Sequence, residues 1–160
     1  MTCCLGPTMT LSRFLYRLLQ PLYEQVTKSI TFLEGVDGID AVELYAKNGY
    51  LRHTTLFTAF SIDNLSTLFA HEHSIRSLER FLNEYASNLQ IQEITIEAII
   101  ELVTIFFRNQ YFIYDNKVYR QIKGSGSGSY LSKILANIDM FYRQQNLVNT
   151  LFEKKEIFGR

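Results

Sequence analysis

The stretch Tyr119–Ile138, YRQIKGSGSGSYLSKILANI, runs a glycine-rich loop straight into an amphipathic helix that carries Ala136-Asn137. Glycine has no β-carbon, so the backbone at Gly124, Gly126 and Gly128 can come close to another molecule. A helix start offers free N–H groups, which suits an anion. The same glycines predict a mobile loop between packed flanks, Tyr119 on one side and Leu131 to Ile138 on the other.

On the N-terminal side of the loop, YFIYDNKVYRQI sets two β-prone runs around Asp115-Asn116, which predicts a hairpin. Before it, Ile99, Ile100, Val103 and Phe107 recur at helical spacing and predict a helix over 96–108. Ser74 is a candidate cap for another helix with Ile75, Leu78, Phe81, Leu82 and Tyr85 inward. The run TTLFTAF, Thr54 to Phe60, reads as a buried strand. Nearer the start, Leu11, Phe14, Leu15, Leu18, Leu19 and Leu22 mark a helix from Leu11 to about Ile30, with Thr10 as cap, which Pro21 should kink or divide. A second helix is expected from Gly38, entered at Asp37 and stopped after Lys47 by Asn48-Gly49. On the C-terminal side, a helix from Tyr130 should reach about Asn146, and Leu147 to Arg160 can be placed only loosely. This order is α+β, helices with a small antiparallel sheet and a hairpin, as a tail over 1–10 and one domain over 11–160.

A length of 160 residues suffices for one buried core. Lys plus Arg number 16 and so do Asp plus Glu, so the overall charge does not advertise a polyanion binder. Any such surface must be local, and Arg108, Lys117, Arg120 and Lys123, interrupted by Asp115, form the one mostly basic stretch. Cys3 and Cys4 are adjacent and without a second pair, so neither a disulfide framework nor a metal site is expected. No secretory leader or apolar run of ~18 residues is evident, which predicts an intracellular protein outside the membrane, nuclear or cytoplasmic.

Tyr119, Gln121, Gly124, Gly128, Ser129, Leu131, Ser132, Leu135, Ala136, Asn137 and Ile138 fit the pattern Y-x-Q-x-x-G-x-x-x-G-S-x-L-S-x-x-L-A-N-I. The stretch thereby resembles the primer-template loop and helix of reverse transcriptases of Penelope-like and related retroelements. Ser127 stands where that family has Met, and Tyr130 where it has Pro. The Gly–Ser alternation is also the composition of a flexible linker, but its flanks keep the family spacing through it. Coverage runs from about Pro7 to Arg160, with Asn48 to Phe60 resembling the approach to the first catalytic strand. The resemblance implies a partial right-hand polymerase fold, fingers and part of the palm, of an RNA-directed DNA polymerase. It places Gln121, Gly124, Gly128, Ser129 and Asn137 against nucleotide or template, and an RNA or DNA template-primer as the partner.

Polymerase chemistry needs two divalent cations, Mg²⁺ in the intact family, held by carboxylates. In the family an Asp follows the first palm strand in F-D-x-x-x-L-Y. The matching run is FSIDNLS, so Ser61 takes the Asp position and Ser66 the Tyr position. The family's Y-x-D-D turn follows a segment like KKEIFGR, where this sequence ends. The resemblance therefore implies a fragment that is inactive by itself and retains no metal site. Asp63 is a weak substitute, because two residues displace a ligand by about 6–7 Å along a strand. His71-Glu72-His73 reads as a polar loop before a helix, since no further His or Cys lies near to complete a metal site. The alternative is a non-catalytic nucleic-acid-binding or interaction module on the same scaffold. An unpaired Thr54–Phe60 strand would also favour self-association.

Overall fold

In the computed structural model, residues 8–63, 65–126 and 128–160 are described, and the side chain of Ser66 is not. The Cys3-Cys4 pair, the substitution at Ser127 and Asn64 lie outside the described residues. The longest helix, α6 (Tyr130–Glu153), organises the rest. Leu131, Ile134, Leu135, Ile138, Phe141 and Val148 recur along it and are buried. They pack on α1 (Met9–Thr27) and α4 (His71–Tyr85), while α5 (Ile96–Arg108) closes the other side of α1 and α4. Leu15, Leu18 and Leu19 of α1, Leu78, Phe81 and Leu82 of α4, and Ile99, Val103 and Phe106 of α5 complete one core. Each such side chain contributes about 1.5–3 kcal/mol on burial. A short α3 (Leu65–Leu68) lies against α6.

The architecture is α+β with two antiparallel pairs of strands, β1 (Gln90–Ile91) with β2 (Ile94–Thr95) and β3 (Tyr111–Tyr114) with β4 (Lys117–Arg120). The β3–β4 register, Tyr111↔Arg120 to Tyr114↔Lys117, centres on Asp115 and Asn116 at φ 49° and 55°. Two positive φ values are what a two-residue hairpin turn requires, and Asp and Asn tolerate them. α5 has the bounds its spacing predicts, capped by Thr95, whose Oγ1 accepts from Ala98 N at 3.3 Å. The small β1–β2 pair just before it was not anticipated.

Other bounds shift for local reasons. α1 begins at Met9, behind Thr8 rather than Thr10. Pro21 sits within α1 without ending it, because buried Leu18, Leu19 and Tyr23 hold both sides of it in the core. α2 (Gly35–Lys47) starts a turn before Gly38: Asp37 is its third residue, and its carboxylate accepts from Leu33 N and Glu34 N at 2.7 and 2.9 Å. It ends, as expected, at Asn48 and Gly49, the latter at φ 76°. α6 runs to Glu153, past Asn146, and the chain then returns so that Phe32 N donates to Arg160 O and Arg160 N to Ile30 O, each at 3.0 Å.

Other expectations fail outright. Ser74 is not a cap: α4 begins at His71, so His71-Glu72-His73 is its first turn rather than a loop, and the Ser74 hydroxyl is spent on Asp139 at 2.7 Å. Tyr85, expected inward, is half-exposed at the end of the same helix. Thr54–Phe60 is not a strand and is not buried: Leu56, Phe57 and Phe60 are 89%, 69% and 70% exposed. A β-prone run needs a neighbour to take its backbone hydrogen bonds, and neither two-stranded pair adjoins this one. Thr55 instead closes a turn on Arg52, its N–H donating to the Arg52 carbonyl and its Oγ1 accepting from Arg52 N.

The edge-strand reason for self-association falls with the strand, but the exposed apolar side chains remain. Replacing Leu56, Phe57 and Phe60 together by Ser is expected to lower light scattering at micromolar concentration and to leave the melting temperature unchanged. Equal scattering from the variant would place the association elsewhere.

Candidate nucleic-acid interface

The glycine loop is held at both ends. Gly124 is buried at φ 64°, with its N–H donating to Phe69 O at 2.9 Å and its carbonyl accepting from His71 Nε2 at 2.6 Å. Ala70 and Lys123 form an antiparallel bridge beside it. Ser125 is buried and bonded through its hydroxyl to that of Ser132. At the far end Ser129 caps α6, its Oγ accepting from Ser132 N at 3.4 Å and pairing with Ser12 Oγ at 2.9 Å. Ser12, reaching across from α1, also accepts from Leu131 N at 3.1 Å.

Both ends of this loop carry bonds that the sequence reading lacked. Gly124 and Ser125 are packed and bonded where mobility was expected, because residues 69–71 supply partners that no local pattern announces. The helix start is not bare either: serine hydroxyls already take the amides of Leu131 and Ser132. An anion here would have to use groups other than these two amides.

Those groups line a cleft of about 310 Å³, at the lower end of the ~300–1,000 Å³ typical of small-molecule sites. Gly126, Gly128, Ser129, Ser132, Lys133 and Asn137 form its polar side, with Leu65 and Ala136 as the apolar wall. Gly128 has φ 99°, a conformation only glycine adopts readily. Ser129, Lys133 and Asn137 are spaced by four, which stacks them on one face of α6. Lys133 brings an exposed cation, Asn137 a half-buried amide that both donates and accepts, and the loop a backbone open to close approach. A phosphate with its sugar suits that set. No carboxylate, His or Cys lines the cleft among the described residues.

Of the residues singled out from sequence, Gly128, Ser129 and Asn137 meet in the cleft. Gly124 instead borders a void of about 10 Å³ with Phe69, Ser74, Phe107 and Ser125, room for about one water. Gln121 turns back on its own strand end, Nε2 donating to Lys123 O at 3.0 Å and N to Gln110 O at 2.8 Å. Ser61 and Asp63 are exposed and border neither space. With no strand before Ser61, a ligand there would lack the rigid support a metal site needs. The described residues bring no three or more His, Cys, Asp or Glu together, and no carboxylate lines the cleft.

Lys133 and Ser12 were missed, and His71 was weighed only as a metal ligand. The four-residue spacing from Ser129 through Lys133 to Asn137 was a usable signal for Lys133; contacts across more than a hundred residues left none for Ser12. Arg108, Lys117, Arg120 and Lys123 are all exposed, as a phosphate track or a solvated hairpin would require. Deeper in α6, Asp139 is buried, accepts from Ser74 at 2.7 Å and lies 3.4 Å from His73 Nε2, tying α4 to α6 behind the loop. No helix among the described residues is long and apolar enough to cross a membrane. Comparison with family models, with curated proteins and with solved structures gives no match.

Proposed function

We propose that this chain is a nucleic-acid-binding unit of reverse-transcriptase descent, a piece of fingers and palm that holds the backbone of an RNA or DNA template-primer and does not itself carry the metal ligands. The observation behind this reading is the cleft in which Gly126, Gly128, Ser129, Lys133 and Asn137 converge. The resemblance over Tyr119–Ile138, which shares Gly128, Ser129 and Asn137 with the cleft, supports it as well. Lys133 pairs with a phosphate, Asn137 bonds a ribose or base edge, and the glycines admit the strand. Binding of this kind is largely blind to sequence and weakens steeply with salt, because phosphate contacts release counterions.

Fluorescence anisotropy of a fluorescein-labelled RNA template annealed to a DNA primer tests it. Affinity should fall as salt rises, and Lys133→Ala with Asn137→Ala should weaken binding by about tenfold with an unchanged melting temperature. Equal affinity of wild type and double variant would overturn the assignment of the cleft. Primer extension with Mg²⁺ or Mn²⁺ is expected to be undetectable, because Ser61 has no carboxylate. Metal-dependent incorporation that is abolished by Asp63→Ala would contradict that.

A further inference from the structure

His71 is engaged on two sides. Its ring stacks on Phe107 with centroids 4.3 Å apart and planes 15° from parallel, and its Nε2 lies 2.6 Å from the carbonyl oxygen of Gly124. A carbonyl oxygen only accepts, so Nε2 carries the proton. The stack fixes the plane of the ring and so aims that N–H. The same three-residue segment also takes the Gly124 N–H, through Phe69 O at 2.9 Å. Gly124 is thus held by both of its backbone polar groups at the point where the chain turns, at φ 64°, toward Gly126 and Gly128 of the cleft.

We propose that His71 is a positioning residue for the nucleic-acid cleft: its Nε2–H fixes the Gly124 carbonyl and thereby the course of the loop that a sugar-phosphate backbone meets. The inference rests on the nucleic-acid reading of the cleft. His71 itself does not line the cleft, so its effect on binding passes through the loop. With the N–H removed, the loop samples other courses and only a fraction of molecules is ready to bind, which reduces the apparent affinity by that fraction.

Two substitutions separate the donor from the ring. His71→Phe keeps an aromatic ring on Phe107 and has no donor; His71→Gln keeps a terminal N–H within reach of the carbonyl and has no ring. Each is read by anisotropy with the labelled RNA–DNA primer-template, by amide exchange at Gly124 and Ser125, and by thermal melting. The expected result is about tenfold weaker binding and faster exchange in His71→Phe, near-wild-type values in His71→Gln, and folded melting curves for both. Equal losses in the two variants, or none in His71→Phe, would overturn the proposal. Should the wild type fail to bind the probe, the nucleic-acid reading of the cleft fails and the positioning role for binding with it; exchange at Gly124 then decides the separate claim that the His71 donor fixes the loop.

Discussion

Phe81→Ala is expected to lower the folding free energy by about 3–5 kcal/mol. Phe81 is fully buried on α4, between aromatic rings of α1 and α6. Its ring touches Tyr23 at 6.1 Å, Tyr85 at 5.1 Å and Phe141 at 6.0 Å between centroids, the last edge-on. Truncation removes the transfer free energy of the ring and leaves a hole that helices pinned elsewhere cannot close. Asp139 with Ser74 holds α4 against α6 on one side, and Tyr142 donating to Glu84 at 2.8 Å holds it on another. Since domains are stable by only about 5–15 kcal/mol, the variant should show a urea midpoint far below wild type. An exposed aromatic such as Phe57, 69% exposed, should tolerate the same change within about 0.5 kcal/mol.

Gly124→Val should be the most damaging single change in the loop. A β-branched residue at φ 64° is an outlier, strained by about 1–2 kcal/mol or more. The added side chain would also sit among buried groups beside a void of only about 10 Å³, at a further overpacking cost of about 1–3 kcal/mol. The chain can escape only by giving up the bonds to Phe69 and His71, which moves the loop out of the cleft. Urea denaturation and primer-template binding should therefore both suffer. Gly35→Ala is the control, because Gly35 opens α2 with nothing within 4 Å of an added β-carbon, and helical backbone there accepts Ala without loss.

What was legible in the sequence divides along the range of the interactions. The β3–β4 turn depends on Asp115 and Asn116 alone, and α5 on its own spacing and Thr95; both were open to reading. Helix starts were off by about a turn where the capping was unobvious, as with Asp37 acting from inside α2. Thr54–Phe60 has strand composition, yet a strand exists only with a partner, and composition does not report partners. The loop illustrates the same limit: its glycines signal freedom, while Phe69 and His71 bond Gly124 and Ser12 bonds Ser129, all from distant parts of the sequence. For the cleft, the helix spacing of Ser129 and Asn137 was visible, whereas the diversion of Gly124 and Gln121 to structural bonds was not.

Titration of the ¹⁵N-labelled protein with the RNA–DNA primer-template, followed by amide chemical shifts, tests the cleft most directly. Binding should move the resonances of Gly126, Gly128, Ser129, Lys133 and Asn137 first and furthest, saturate with the anisotropy curve, and fade as salt is raised. Shifts confined to the β3–β4 hairpin, or none at concentrations where anisotropy is saturated, would contradict the account.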